Sequence, residues 1–449
     1  MAPIAIVGAR LFDGTRAPVV EDATVVLEGE LIVACGPRAG TPVPTGARII
    51  AGGGHTLLPG FIDMHTHVQP QALPLWLAYG VTTVKDVGNA FERILLWRAA
   101  ERSGGDGGPR IYCCGPLIDG AQPFWPDHSL AVANEEDAAR AADTLAEHRV
   151  DACKAYMMLP AAAMRSFIRR ARAHGLTTSA HLGHVRAGEA IDCGVAGLEH
   201  TAQSLYTEVV PEELIWPAED RRRRGLGAFW ANFVRGWAAV DLGSDRTRRI
   251  AERLAQRGIY VNPTLITLDR TVERGRRGIE ALDADPAMAE YAATARSGWR
   301  ATRDRFVEGW SAADYSQAAR ALEKVMRFTG AMFEAGVRLH AATDAPFAYI
   351  LPGSSFHREL ELLVRSGLPP AAALRAATSV PADTLRASDI GVVAPGKRAD
   401  LVLVAGDPTR TIAATTEIAM VFKRGTPVDR QGLFAAARSD HPATPGPSH

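Results

Sequence analysis

The sequence predicts an α/β protein, with a (β/α)8 TIM-like barrel and a small β-sandwich domain built from both chain ends. Three observations predict it. From about residue 60 to residue 390, short apolar strands alternate with helical stretches, as parallel βα units do. Candidate strands begin near Phe61, Val81, Arg110, Asp151, Thr177, Gly197, Tyr260 and Arg338, and this number of units suits a closed barrel better than an open sheet. The two ends are written differently. IAIVGARLFDG and ATVVLEGELIVACG near the start, and GVVAPGKRADLVLVAGD and IAMVFKRGTPVD near the finish, are β runs broken by Gly and Asp turns.

Taken in order, residues 1–57 and 391–436 are expected to pair into one composite β-sandwich domain. Residues 58–390 form the barrel, and the Pro/Ser-rich 437–449 reads as a disordered tail. Two connections are long: 202–258, after the sixth strand, and 266–337, after the seventh. Both read as helical, and insertions on that face of a barrel serve as lids or oligomer contacts.

Composition narrows the function. Basic and acidic residues number 50 each, so the balance implies no nucleic-acid partner. No apolar run reaches the ~18 residues that a membrane span needs. The start, MAPIAIVGARLFDG, lacks a basic segment followed by an apolar one, and so reads as a strand rather than a signal peptide. Five cysteines in no disulfide or zinc-finger spacing suit a reducing compartment, and the expected location is cytoplasmic.

The chemistry is carried by strand ends. In PGFIDMHTHV, His65 and His67 are two apart on one strand and share a face. Neutral imidazoles in that arrangement suit zinc and related metals. DACKAY places Lys154 at the end of the fourth strand, TTSAHLGH places His181 at the fifth, GLEHTAQ His200 at the sixth, and HAATDAP Asp344 at the eighth. Lys154 is conspicuous because the chain has five lysines against 45 arginines. Where a plain positive charge would serve, this sequence writes Arg, and lysine can lose its proton where arginine cannot.

These motifs, with VTTVKDVG and the closing GVVAPGKRADLVLV, resemble the amidohydrolase superfamily, metal-dependent barrel hydrolases, over nearly the whole chain. Within it the sequence is similar to the prolidase, Xaa-Arg dipeptidase and imidazolonepropionase-related subgroup. The resemblance implies that His65, His67, His181, His200 and Asp344 are metal ligands, and that Lys154, carboxylated by CO₂, bridges two divalent ions. Zinc is the expected metal, with manganese, cobalt or iron as alternatives. A buried lysine beside two cations has a lowered pKa, and its free amine can add CO₂ to give an anionic carbamate ligand. The implied reaction is two-metal hydrolysis: a water bridging the metals ionises, and Asp344 takes its proton and passes one to the leaving amine.

Around this set, Tyr156, His184, His128, Asn262 and Thr264 are candidate substrate contacts. Asp63 is expected to orient a ligand, His340 to be a core histidine, and Arg221–Arg224 to be a solvated lid face. The expected substrate is a peptide or N-acyl amino acid, and such a scaffold could trim a peptide in a natural-product pathway. Alternatives are a cyclic-amide hydrolase resembling imidazolonepropionase and a non-catalytic barrel binding protein. Homo-oligomerisation is left open.

Overall fold

A computed structural model describes residues 2–104, 107–216 and 224–439. Both chain ends enter one eight-stranded sheet. Its N-terminal strands are Ile4–Leu11, Val20–Glu28, Leu31–Pro37, Arg48–Ala51 and His55–Pro59; its C-terminal strands are Leu401–Ala405, Ile418–Lys423 and Thr426–Pro427. Leu401–Ala405 pairs antiparallel with His55–Pro59 over five residues, joining the first part of the chain to the last. Ile6, Val25, Leu27, Ile32, Leu57, Leu401, Leu403 and Phe422 are buried together in its core.

Between these ends the fold is mixed α/β with parallel strands. Phe61–Thr66, Val81–Asp86 and Arg110–Cys113 form a parallel three-stranded sheet. A second parallel sheet runs in the order Ser129–Val132, Leu117–Gly120, Cys153–Ala155, Thr178–Ala180, Gly197–Glu199 and Tyr260–Asn262. Two parallel bridges flank the segment 339–345: Leu339 pairs with Val261, and Ala345 with Thr66. The backbone amides of Asp151 and Ala152 donate to the Cys113 carbonyl, linking the two sheets on the other side. The expected strand starts therefore fall within a few residues of observed strands or bridges. Most strand residues are buried, as in parallel strands covered on both faces, and the polar ones among them gather toward the centre described below.

Local signals explain the surrounding helices. In Glu135–Glu147, Ala138, Ala141, Ala142 and Leu145 bury one face at helical spacing. The Asn134 side chain caps the first turn by accepting from the amides of Glu136 and Asp137. The 266–337 connection contains Ile266–Arg277, Trp299–Phe306 and the long Ala312–Glu334, and Leu226–Ala238 of the earlier connection packs against the last of these.

One expectation is corrected at the C-terminus. Arg430–Arg438 is a helix, so Ala437 and Arg438 are not an unstructured tail. Ala437 is buried, its carbonyl accepts from Ala292, and Phe434 packs edge-on to Tyr79. The helix also lies against Leu73–Ala78, beside the parallel strands rather than in the terminal sheet. Residues 440–449 lie outside the described residues.

Strand packing makes Gly197 a point of intolerance. A Cβ there would come within 2.1 Å of the Tyr260 ring on the neighbouring strand. Gly197→Ala is expected to destabilise the protein by about 1–3 kcal/mol through overpacking, read as a lower Tm in a thermal melt.

Candidate metal centre

His65 and His67 lie at the C-terminal end of strand Phe61–Thr66. Each ring is oriented by its Nδ1. That of His65 is 2.7 Å from Glu199 Oε2, and that of His67 is 3.2 Å from the Gly88 carbonyl. A carboxylate and a carbonyl can only accept, so both Nδ1 atoms carry a proton and both Nε2 atoms are the ones turned toward the centre. Each Nε2 lies 3.2 Å from Asp344 Oδ1. For His65 this approach lacks hydrogen-bond alignment, and its buried Nε2 is left without a partner among the described residues.

His200 follows the strand Gly197–Glu199 and opens a π-helical turn. Its Nδ1 is 2.6 Å from Thr264 Oγ1, and its ring centroid is 4.4 Å from that of His65. His181 follows Thr178–Ala180; its ring is 4.5 Å from His200, and its buried Nε2 likewise lacks a partner among the described residues. Ligand atoms of His65, His200 and Asp344 lie within 4.8 Å of one another. Unpaired, buried imidazole nitrogens facing a carboxylate are what a divalent cation of the zinc class requires, and the donor set fits one.

The electrostatics of His181 and His200 agree with that fit, whereas at His67 burial is outweighed by Asp344, which raises the ring above the usual imidazole range. Burial, with Lys154 and His65 nearby, holds His181 well below the usual imidazole range, and burial with His65 and His181 does the same to His200. Both are neutral and able to donate lone pairs. Burial alone would raise Asp344, but His65, His67 and His200 outweigh it and hold the carboxyl well below its usual range. Lys154 is buried on strand Cys153–Ala155, with Nζ 5.9 Å from the Tyr156 ring centroid. Burial pushes its amine down, against the opposing pull of Glu199 and Asp344.

His200, Thr264 and Asp344 adopt left-handed backbone, with φ of 62°, 48° and 70°. Such conformations cost non-glycine residues of order 1–3 kcal/mol, and they cluster where function overrides local preference.

A cavity of about 1290 Å³ opens over the centre and is lined by His65, His67, Lys154, His181, His200 and Asp344. Its walls are aromatic: Phe124 and Trp125 on one side, Phe229, Trp230 and Phe233 from helix Leu226–Ala238, and Phe306 and Trp310 from the 266–337 connection. Both long connections thus contribute to its lining. Of the expected Arg221–Arg224 face, 221–223 lie outside the described residues, and Arg224 stacks on Trp216 with its guanidinium 4.3 Å from the ring.

The expected substrate contacts divide. Tyr156 and His128 line the cavity, and the Tyr156 hydroxyl accepts from Trp125 Nε1 at 3.0 Å. His184, Asn262 and Thr264 do not line it. His184 is exposed. Asn262 is wholly buried and donates to Glu199 and the Met64 carbonyl, while its oxygen faces His340 Nδ1 at 2.8 Å. Thr264 backs His200. Asp63 ties the His65 strand to the Asp344 segment, accepting from Thr343 Oγ1 at 2.6 Å and from the Thr343 and His65 amides. Burial pushes its carboxyl up to about 7.

Glu199 and Lys85 were not expected at the centre. Glu199 is buried, orients His65, and lies 3.7 Å from Lys85 Nζ. The available signal was a lone acid beside a histidine in GLEHTAQ.

The chain belongs to the amidohydrolase family, whose profile matches residues 56–428. Among curated relatives, the imidazolonepropionase of Cutibacterium acnes is 36% identical over 105 residues, 22% of this chain and 23% of the relative. That of Pseudomonas aeruginosa is 46% identical over 59 residues, 13% of this chain and 15% of the relative. The chain therefore matches less than a quarter of the length of these relatives. Among solved structures, bottromycin amidohydrolase superposes with a TM-score of 0.75 at 22% identity, covering 97% of this chain and 90% of that one. A Xaa-Pro dipeptidase with bound methionine in the active site gives 0.69 at 19%, covering 95% and 100%. At these identities the likeness concerns the fold.

Proposed function

We propose that this protein is a binuclear metal-dependent amidohydrolase that cleaves the amide bond of a peptide or N-acyl amino acid. The observation that carries the reading is the gathering of His65, His67, Lys154, His181, His200 and Asp344 around one cavity, with the Nδ1 protons of His65 and His67 turned away from its centre. We read the parallel strands, with the bridges at 339–345, as a closed (β/α)8 barrel over 58–390. The terminal sheet is then the composite β-sandwich of 1–57 and 391–436, less its last helix. Five free cysteines support a cytoplasmic setting.

In this reading His65, His67, His181, His200, Asp344 and a carboxylated Lys154 would hold two divalent ions, most simply zinc. When bound, such ions lower the pKa of water and polarise a scissile carbonyl. Asp344 is the residue that moves protons. Its Oδ1, ionised at neutral pH, takes the proton of the attacking water and returns one to the leaving amine. Glu199, Gly88 and Thr264 fix the three imidazoles, so the ligand nitrogens need no reorganisation. The aromatic helices 226–238 and 299–306 exclude water above the reacting bond and hold apolar side chains of the substrate. Asn262 and Thr264 act behind the ligands, and Tyr156 and His128 face the substrate.

The cavity volume favours a peptide over a small cyclic amide, since ordinary small-molecule pockets span ~300–1,000 Å³. The imidazolonepropionase relatives keep the cyclic-amide reading as the competitor. Two measurements test the proposal. Elemental analysis of protein purified without chelator is expected to give two metals per chain, and a value fixed at one after supplementation with metal and bicarbonate overturns the binuclear assignment. A screen of dipeptides, longer peptides, N-acyl amino acids, lactams and imidazolones is expected to give turnover of a peptide-like amide. Turnover of lactams or imidazolones alone hands the case to the competitor.

A further inference from the structure

The buried cations of this protein follow a rule with two exceptions. Among the described residues, five Lys or Arg side chains are buried: Lys85, Arg98, Lys154, Arg303 and Lys423. Three have a carboxylate close by: Lys85 has Glu199 at 3.7 Å, Arg98 has Asp151 at 2.7 Å, and Lys423 has Asp400 at 3.1 Å. This is the expected pattern, because an uncompensated buried charge is strongly unfavourable. Lys154 and Arg303 have no such partner among the described residues, and both line the same cavity. Lys154 is accounted for by its conversion to an anion in the reading above. Arg303 is not.

Arg303 is 4% exposed, on helix Trp299–Phe306. Nη1 donates to Thr271 Oγ1 at 3.1 Å and Nη2 to the Ala348 carbonyl at 2.5 Å. These two bonds fix the guanidinium, one of them to the segment that carries Asp344. They use two of its five N–H donors, and Nε is buried without a partner. Asp304, Asp283 and Asp269 are engaged elsewhere: with Arg274 at 2.6 Å, Arg300 at 3.2 Å and Arg358 at 3.0 Å. Burial, with Arg270 and Arg274, lowers the Arg303 guanidinium to about 10, which leaves it charged at neutral pH. A fixed, charged, water-poor fork with spare donors is what a bidentate carboxylate receptor requires.

We infer that Arg303 is the specificity-determining residue that binds a free carboxylate on the substrate, within the cavity it shares with the candidate metal ligands. The inference rests on the amide-hydrolase reading for its substrate class, but not for the existence of the anion site.

The test compares wild type, Arg303→Met and Arg303→Lys, all metal-loaded and checked by thermal melting and metal content. Binding is read by calorimetric titration with 3-phenylpropionate and its uncharged isostere 4-phenylbutan-2-one. Wild type is expected to prefer the carboxylate by roughly tenfold or more, as a charge-assisted bidentate pair should give. Arg303→Met is expected to lose that preference and Arg303→Lys to keep part of it. Preference retained in Arg303→Met places the anion at the metals and overturns the inference, as does wild type with no preference. If Arg303→Met fails to fold, undiminished preference in Arg303→Lys overturns it equally. In parallel, N-benzoyl-L-phenylalanine and its carboxamide are compared by kcat/KM. Turnover with no discrimination between them sinks the Arg303 assignment and spares the hydrolase. Carboxylate binding that depends on Arg303, with no amide cleaved in the screen, does the reverse.

Discussion

Asp344→Asn is expected to lower kcat by at least about 10²–10⁴, the usual worth of a positioned acid–base group, while the fold survives. The substitution keeps shape and volume and removes the charge. Asp344 Oδ1 lies 3.2 Å from Nε2 of both His65 and His67, so one carboxylate faces two lone-pair donors across the space where cations would sit. With Asn the proposed centre loses both an anionic ligand and its proposed proton acceptor. The check is steady-state kinetics at verified metal occupancy, beside a thermal melt. Turnover within threefold of wild type at full occupancy would require another base and would remove Asp344 from the mechanism.

Lys154→Arg is expected to lose activity as completely as Lys154→Ala. The lysine is buried, its amine is pushed down by burial, and its Nζ has no carboxylate within ion-pair distance among the described residues. A permanent cation in its place would stand among neutral imidazoles with no route to an anionic form, because guanidinium keeps its proton. Metal content should fall together with turnover, since the charge at 154 becomes positive where the proposal needs it negative. An arginine variant that retains two metals and normal kcat would show that Lys154 is only a packing residue.

Much of the fold was legible because short buried strands alternate with helical stretches, and the strand ends are marked by polar residues that face the pocket. His65, His67, Lys154, His181, His200 and Asp344 could each be placed at a strand end from local pattern alone. Thr264 and Asn262 could not be assigned correctly in the same way. Being near the end of strand Tyr260–Asn262 does not say which way a side chain turns, and here one backs His200 while the other joins Glu199 to His340. The helix 430–438 is not legible in the sequence for a related reason: its short apolar face has meaning only against Tyr79 and the Leu73–Ala78 helix.

Glu199 and Arg303 define the boundary most clearly. Strand alternation puts neighbours on opposite faces, so Glu199 and His200 should not both reach His65. The left-handed backbone at His200 turns its ring back, and Glu199 at 2.7 Å and His200 at 4.4 Å then meet the same imidazole. Arg303 is one of many arginines in a helical insertion, and nothing local separates it from its solvated neighbours. By itself the sequence determined the strand–helix alternation, the terminal sheet and the strand-end positions of the candidate ligands, because those are read from periodicity and short motifs. Only the tertiary structure decided which second residues orient the imidazoles and which arginine is buried without an anion, because both depend on contacts between segments distant in sequence, from 21 residues apart for His67 and Gly88 to 134 for His65 and Glu199.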